Sequence, residues 1–317
     1  MVLAVAATAA LCAAAEAENY PTKPVRLVVP FPPGGGADAT GRVVALKLTA
    51  AWRQQVVVDN RTGAGTTIGN EIVAHSVPDG YTLLVTNNAL TISAGLYPQL
   101  RHSAAKDFLP IMEMLRSPFV LVVPAVSVAK TTKELIALAK AKPGELALAN
   151  TGIGSGPHLA GVLFGVMAGA SFNHIPYKGF VSAMQDLMAN RVQLFFTAPI
   201  AAMPHVQTGR LRALGVTSAK RAATLPDLPT IAESAIPDYE ATTWYMLLGP
   251  AGLPVSIVAK IHRDTAEGLR QPDAVKVLGS EGAEMVVGTP AEADKLLHSE
   301  LVRWVKVIKQ ANVKPDD

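Results

Sequence analysis

Two strand–loop–helix units built around glycine, one in each half of the chain, constrain the fold more than any other feature. The apolar run VRLVVPF at 25–31 leads into a glycine loop at 32–38, and the run ELALAN at 145–150 leads into a second loop at 151–157. Short, continuous apolar runs are typical of buried strands. Strands and helices alternate with short loops along the rest of the chain as well, which predicts a layered α/β protein with largely parallel sheets.

Further elements follow from the same patterns. Strands are predicted at 55–59, 81–86, 119–124, 172–175, 192–197 and 212–217. Capping-box patterns, in which Thr131 precedes Glu134 and Thr289 precedes Glu292, predict two helix starts. Spacing at the helical period predicts that the following side chains face the core: Thr40, Val44, Leu48, Ala51, Leu159, Val162, Leu163, Val166, Val181, Met184, Met188, Leu297, Leu301, Trp304 and Ile308.

Residues 1–17 have the pattern of a secretory signal peptide: a small-apolar stretch that ends in Ala15-Glu16-Ala17, an A-x-A-like cleavage site. The usual positive start is missing, and a membrane anchor would need about 20 apolar residues. Leu11 before Cys12 argues against a lipoprotein. Cleavage after Ala17 removes the only cysteine, which suits an oxidising compartment. We therefore expect export to the periplasm.

Composition excludes several classes of protein. Half of the 317 residues are apolar, only 17% are charged and the net charge is +3, so nucleic-acid binding and disorder are not expected. The seven histidines show no zinc-ligand spacing. The glycine loops match neither G-x-G-x-x-G nor the P-loop pattern, and Ser155 between two glycines lacks the G-x-S-x-G spacing. We expect no metal, no cofactor and no catalytic residue.

The two glycine loops suit a small anion. Each places glycine N–H groups at a helix N-terminus, where unpaired donors and the positive end of the helix dipole attract negative charge. A single such loop is equally well explained as a turn. Two of them, one in each half of the chain, fit opposing jaws of a cleft that closes by a hinge motion.

Side chains near these loops have two interpretations each. His158 either caps or packs at the helix start or lines the cleft as a hydrogen-bond donor. Asp38 with Arg42 either forms an N-terminal cap and an i,i+4 ion pair or contacts ligand. Tyr177-Lys178 either places a cation at the cleft rim or lies in a solvated turn.

Asn87-Asn88 follows a predicted strand and could offer amide contacts to a polar ligand.

The chain resembles the Bug, or TctC-type, substrate-binding proteins of tripartite tricarboxylate transporters from about Tyr20 to its C-terminus. The segments that carry the resemblance are YPTKPVRLVVPFPPGGGADATGR, VVVDNRTGAG, PDGYTLL, GSGPHLAG, HIPYKG, GRLRALGVTSAKRAATLPDLPTIAES, WYMLLGPAGLP and GTPAEADKL.

This resemblance implies a two-domain periplasmic binding protein fold (type II-like) with a hinge and an interdomain cleft. We expect domain 1 at 18–120 and 241–317 and domain 2 at 121–240. In the family both glycine loops hold a carboxylate, mostly through backbone groups and water. By position, the implied ligand-binding residues are Pro33, Gly34, Gly35, Ala37, Asp38, Thr40, Thr151, Gly152, Gly154, Ser155, His158, Tyr177 and Lys178. Asn88, after a predicted strand, and Thr197 complete our candidate ligand-binding residues.

The function that this implies is capture of a small carboxylate and its delivery to two membrane subunits of a transporter, by a monomer. Two alternatives stay open: a ligand-dependent sensor for a membrane receptor kinase, and an α/β enzyme that uses Asp38 or His158. Gln193 and Thr197 stand where many relatives have acidic residues. We therefore expect a preference for a carboxylate without an amino group.

Overall fold

The computed structural model describes residues 19–97, 99–177, 179–279 and 282–314. They form two compact units. Unit 1 consists of the described chain up to Leu115 together with Trp244–Leu278 and Met285–Val302. Unit 2 consists of Arg116–Thr243, the described part of Gly279–Glu284, and the chain from Arg303 onward. The predicted signal peptide at 1–17 and Lys178 lie outside the described residues.

Eleven strands form two sheets in the described chain. The first sheet, with the order β11-β4-β10-β3-β1-β2, contains β1 Val25–Val29, β2 Val56–Asn60, β3 Thr82–Asn87, β4 Phe108–Pro118, β10 Thr242–Pro250 and β11 Glu284–Met285. The second sheet, with the order β7-β6-β8-β5-β9, contains β5 Val120–Pro124, β6 Ala147–Asn150, β7 Asn173–Pro176, β8 Leu194–Thr197 and β9 Leu211–Val216.

Helices connect most of these strands, and one 3₁₀ turn, at Ala64–Thr66, is found in the described part of the chain. They are α1 Gly36–Trp52, α2 Thr67–Ala74, α3 Ala89–Leu96, α4 Thr132–Ala141, α5 Gly156–Ala168, α6 Phe180–Met188, α7 Pro199–Gln207, α8 Ile231–Ser234, α9 Val255–Leu269, α10 Pro272–Gly279 and α11 Pro290–Gln310. Within the described ranges, no helix combines the length and the apolar character needed to cross a bilayer.

In unit 1, β1 lies between β2 and β3 and is parallel to both. Its apolar side chains are fully buried, as the continuous apolar run predicts, because helices and the core cover both faces of the strand. Val28 belongs to a core cluster with Leu84 of β3, Trp244 and Met246 of β10 and Leu297 of α11. The carboxyl ends of β1, β2 and β3 therefore meet at one edge of the sheet.

Unit 2 repeats this arrangement around β6, which is parallel to both β7 and β8. Its core cluster includes Val120 and Val122 of β5, Met184 and Leu187 of α6, and Phe195 of β8. The two sheets are mixed, because β5 is antiparallel to β8 and β9, and β10 is antiparallel to β3. The predicted parallel pairing thus holds around β1 and β6 and fails for β5 and β10.

The chain first passes from unit 1 to unit 2 inside β4 and first returns inside β10, and it changes unit again after Leu278, after Glu284 and after Val302. Both strands continue through the change of unit without a break in their strand conformation. The domain boundaries predicted at 120/121 and 240/241 stay a prediction, because compactness alone does not test which segments fold as separate domains.

Candidate functional site

The first glycine loop, called loop 1 here (residues 32–35), joins the carboxyl end of β1 to α1. All four of its residues are exposed, and Gly34 has a positive φ of 88°. Asn60 ends β2 and Asn87 ends β3, so both flank the loop from the neighbouring strands. Ligands of open α/β sheets bind beyond the carboxyl ends of parallel strands.

The N-terminus of α1 has no side-chain cap. Gly35 occupies the N-cap position in an extended conformation, and no side-chain hydrogen bond caps the helix from there. The first N–H groups of a helix have no partner inside the helix. Because Gly35 lacks a side chain, the first-turn donors of α1 are left to solvent or to a bound anion.

Asp38, on the first turn of α1, is buried and holds loop 1 in place. Its Oδ2 accepts the Gly34 N–H at 2.9 Å and the Arg42 Nε–H at 2.8 Å, and its Oδ1 accepts the Asn60 Nδ2–H at 3.0 Å. Asn60 also donates to the Phe31 carbonyl at 3.0 Å. Arg42, assisted by the donors of Gly34 and Asn60 and opposed by burial, lowers the pKa of Asp38 to about 2.

The i,i+4 ion pair predicted between Asp38 and Arg42 is therefore present, whereas Asp38 accepts the N–H of Gly34, which precedes the N-cap residue, and caps no first-turn N–H of α1. The carboxylate is ionised, and both of its oxygens accept hydrogen bonds from the protein. Thr40 is buried, and its hydroxyl donates to the Gly36 carbonyl at 2.7 Å, so it too is bonded within α1.

Asn88 lies at the start of α3, next to the end of β3. It is 4% exposed, and its carbonyl accepts bonds from Thr91 and Ile92 in the first turn of the helix. Asn87 uses its side-chain oxygen to accept the Ala89 N–H at 2.9 Å. Of the two asparagines, Asn88 is the better candidate for contact with a ligand, since Asn87 is bonded to its own helix start.

The second glycine loop, called loop 2 here (residues 151–155), joins the carboxyl end of β6 to α5. Asn150 Oδ1 accepts the Gly152 N–H at 3.0 Å, and the Ser155 N–H donates to the Gly152 carbonyl at 3.1 Å. Gly152 and Gly154 have positive φ values of 114° and 77°, a conformation that glycine adopts without strain. Loop 2 is thus held by one bond to the end of β6 and by one bond within the loop.

His158, on the first turn of α5, bonds to loop 2 through its ring. Its Nδ1 accepts the Gly154 N–H at 3.1 Å, and its own backbone N–H donates to the Ser155 Oγ at 3.3 Å. The ring packs edge-on against His174, with 5.1 Å between ring centroids. Burial, with a smaller effect of His174, lowers the pKa of His158 to about 4, so the imidazole is neutral at pH 7.

This hydrogen bond agrees with the interpretation of His158 as a residue that packs at the helix start. Since Nδ1 is the acceptor, the proton of the neutral ring is on Nε2. Burial also lowers the pKa of His174, whose Nδ1 is buried without a hydrogen-bond partner in the described chain.

Tyr177 follows β7, and its N–H donates to the Asn150 carbonyl at 2.9 Å, beside loop 2. Its hydroxyl donates to Asp186 Oδ2 at 2.9 Å, and Arg191 donates to the other oxygen of that carboxylate. Burial and the bond to Asp186 raise the pKa of Tyr177. The Tyr177 hydroxyl is thus directed to α6.

Thr197 ends β8 and is buried, next to β6 and its loop. Gln193, just before the start of β8, accepts the Ala147 N–H at 3.0 Å. It therefore lies at the amino end of β6, where it supports the sheet.

The structure gathers the predicted residues into one group in each unit. Unit 1 brings together Pro33, Gly34, Gly35, Ala37, Asp38, Thr40 and Asn88 around the carboxyl ends of β1 to β3. Unit 2 brings together Thr151, Gly152, Gly154, Ser155, His158, Tyr177 and Thr197 around the carboxyl ends of β6 to β8.

Two residues of these groups were missed in the sequence. Asn60 anchors Asp38, and Asn150 anchors Gly152. Both end a strand that neighbours or precedes a glycine loop, and this position at the carboxyl end of a strand was the available signal. In the ranges that the structure describes, no cluster of three or more His, Cys, Asp or Glu side chains could hold a metal ion.

Comparison with known proteins assigns the family. Residues 40–313 match the tripartite tricarboxylate transporter family receptor, TctC. The chain belongs to this family. It is 37% identical over 307 residues to a protein of the tcbD-tcbE intergenic region of Pseudomonas sp. (strain P51), which covers 96% of this chain and 91% of that protein.

Solved structures agree with this assignment. An R. palustris protein in complex with adipate superimposes with a TM-score of 0.79 at 34% identity, covering 94% of this receptor chain and all of that one. The periplasmic binding protein BugD superimposes with a TM-score of 0.75 at 32% identity, over 94% of this chain and all of BugD. The predicted α/β, two-domain periplasmic binding protein fold and the resemblance to Bug and TctC-type proteins are confirmed.

Proposed function

We propose that this receptor is a periplasmic, non-enzymatic solute-binding protein. In this proposal it captures a small dicarboxylate with loop 1 and loop 2 and delivers it to the membrane subunits of a tripartite tricarboxylate-type transporter. The observation that carries the proposal is the uncapped N-terminus of α1 behind the exposed glycines of loop 1. Its unpaired donors suit a carboxylate. The adipate complex of a relative supports the same class of ligand.

The ionisable groups near the loops support binding without chemistry. A general base needs a free lone pair within reach of a substrate proton. The oxygens of Asp38 accept bonds from Gly34, Arg42 and Asn60, and the Nδ1 of His158 accepts the Gly154 N–H. These groups serve the loops, so we propose that the ligand leaves the site unchanged.

The same bonds bear on the choice of ligand. An ammonium group needs an acceptor, and the buried carboxylate of Asp38 is already satisfied by three protein donors. The residues gathered around loop 1 in unit 1, called the loop 1 group, therefore offer hydrogen-bond donors to a ligand but no free carboxylate. We propose that dicarboxylates without an amino group bind better than aspartate or glutamate.

A thermal-shift and calorimetry series on the chain lacking residues 1–17, with bound ligand removed first, tests this function. The panel is adipate, succinate, malate, aromatic acids, aspartate, glutamate and nucleotides. A ligand at a hundredfold excess over its dissociation constant stabilises the folded state by about 2.7 kcal/mol. We expect a shift with one class of carboxylate and full recovery of that compound by NMR. No shift with any carboxylate, or turnover of the bound one, would refute the proposal.

Delivery to a transporter is tested separately, in proteoliposomes that contain the cognate membrane subunits. We expect uptake of the identified carboxylate only when the loaded receptor is added. Uptake at the same rate without the receptor would contradict this part of the proposal.

A further inference from the structure

Loop 1 and loop 2 each contain a hydrogen bond of the same kind. In each, a glycine donates its N–H to the side chain four residues later: Gly34 to Asp38 Oδ2 at 2.9 Å, and Gly154 to His158 Nδ1 at 3.1 Å. Each glycine lies two residues before the first helical residue, and each acceptor is the third residue of its helix. The two units thus contain the same device with chemically different acceptors.

We propose that Asp38 and His158 are positioning residues that fix the ligand-binding form of loop 1 and loop 2 and do not bind the ligand themselves. This inference rests on the proposed function for its effect on affinity. It concerns the arrangement of the loops, which can be measured without any ligand.

The backbone of both glycines explains why an anchor is needed. Gly34 and Gly154 have φ values of 88° and 77°, and glycine visits many other conformations as readily. A loop free to sample them would order on ligand binding at an entropic cost. A hydrogen bond from the glycine N–H to a buried side chain selects one conformation beforehand.

Both acceptors are themselves held by their surroundings. Asp38 is 3% exposed and is bonded to Arg42 and Asn60. His158 is 5% exposed, with its ring packed against His174 and its N–H bonded to Ser155. A side chain locked in this way can transmit its position to the glycine.

The device also decides which groups face the ligand. The Asp38 carboxylate and the His158 Nδ1 lone pair are acceptors that would repel a carboxylate, and both are turned to the loop amides. In loop 2, Gly152 and Ser155 also use their N–H groups internally. The donors left for a ligand are the remaining backbone N–H groups and the first turn of α1.

Two substitutions at His158 separate positioning from direct contact. In His158→Asn, the side-chain oxygen can take the place of Nδ1 as acceptor for Gly154, while the Nε2–H is lost. In His158→Gln, the amide can take the place of Nε2–H, while the acceptor near Gly154 is lost. We expect dicarboxylate affinity within about threefold of wild type for His158→Asn and a loss of roughly tenfold for His158→Gln, or about 1.4 kcal/mol.

The backbone amide of Gly154 is the second readout, in ligand-free protein. Its NMR shift and its protection from hydrogen exchange should be kept in His158→Asn and lost in His158→Gln. If His158→Gln binds as wild type does, or if His158→Asn loses as much affinity as His158→Gln, the inference is overturned.

A third measurement needs no variant. We expect ¹⁵N NMR of the wild-type imidazole to show an unprotonated Nδ1 and a protonated Nε2 at pH 7. A protonated Nδ1 would overturn the inference even if both variants failed to fold. Because the amide and tautomer readouts use no ligand, they stand even if no carboxylate binds, an outcome that would refute the proposed function alone.

Discussion

Asn60 Nδ2 donates to Asp38 Oδ1 across 3.0 Å and so ties the end of β2 to the first turn of α1. The same amide donates to the carbonyl of Phe31, which lies two residues beyond β1 and directly before loop 1. One side chain thus fixes both ends of loop 1, and this connects the sheet to the proposed ligand site.

Replacing Asn60 with alanine should therefore affect both stability and binding. The Phe31 carbonyl and Asp38 Oδ1 each lose a partner, which should cost about 1–2 kcal/mol in the free energy of unfolding. We expect dicarboxylate affinity to fall about fivefold as loop 1 loses order. Urea unfolding and calorimetry measure the two effects. Asn173→Ala, at an exposed position in β7, is the control and should change neither.

Replacing Gly35 with valine should block the donors of α1 and leave the fold intact. A Cβ at Gly35 would meet only the Pro32 carbonyl oxygen, at 3.9 Å, and the backbone there is extended, with φ −87° and ψ 170°. Valine tolerates that conformation. We expect at least a tenfold loss of dicarboxylate affinity, with a melting temperature lowered by only a few degrees because valine is a poorer N-cap residue than glycine. Gly279→Val, whose Cβ would meet nothing within 4 Å, is the control. Unchanged affinity in Gly35→Val would remove loop 1 from the site.

Stability should fall as the pH drops from 6.5 toward 4. In the unfolded chain a histidine protonates near 6.5, whereas His158 stays neutral in the folded protein down to about 4. The contribution of neutral His158 to the free energy of unfolding is complete above pH 6.5. It is lost progressively as the pH falls from 6.5 to about 4, by up to about 3 kcal/mol. The lowered pKa values of His102 and His174 act in the same direction.

Denaturant unfolding between pH 7 and 4.5 measures this dependence. Asp38 keeps its charge there, because its pKa is about 2. His158→Asn should show a flatter profile than wild type. If the free energy of unfolding depended on pH identically in both proteins, burial of His158 would not be the cause of the stability loss between pH 6.5 and 4.

The selectivity between ligands can be tested by competition. We expect succinate to displace a bound dicarboxylate at lower concentration than aspartate, because aspartate adds an ammonium group for which the loop 1 group has no free carboxylate. The pair matches in chain length and differs in that one group. Tighter binding of aspartate would contradict the proposed preference.

The sequence predicted the central strands and the helix starts well, because their signals are local. The Thr289 and Glu292 pattern forms a capping box in the structure, with Thr289 N–H donating to Glu292 at 2.8 Å and Glu292 N–H donating back at 3.3 Å. At Thr131 the hydroxyl accepts the Glu134 N–H, but the Glu134 carboxylate accepts the Lys130 N–H. Thr131 is thus the N-cap, as predicted, and only the reciprocal bond of Glu134 goes one residue earlier, to Lys130.

The predicted core-facing side of some helices included a residue that is exposed in the structure. Val166 of α5 and Val181 of α6 were predicted to face the core, yet they are 39% and 67% exposed. In α6 the buried face consists of Ala183, Met184 and Leu187, where Leu187 follows the other two by four and three residues. Single-sequence periodicity does not fix the edge of an apolar face, since tertiary packing decides how far around the helix the core extends.

The site was predicted at the level of its loops but not of their bonds. Glycine patterns indicate helix N-termini, whereas the direction of a strand and the partner of a side chain depend on long-range pairing. The bonds of Asn60, which joins β2 to α1, follow from that pairing. The choice of His158 between cap and ligand contact stayed open for the same reason.

The bare N-terminus of α1 has a consequence for how the receptor can diverge. Main-chain N–H groups survive every substitution except the one to proline. Random mutation can therefore alter the side chains around the remainder of a ligand while the grip on its carboxylate persists. Paralogues that bind different carboxylates can therefore keep the same anchoring contacts. A biosensor designed on this scaffold should accordingly be retargeted by changing side chains outside the two loops.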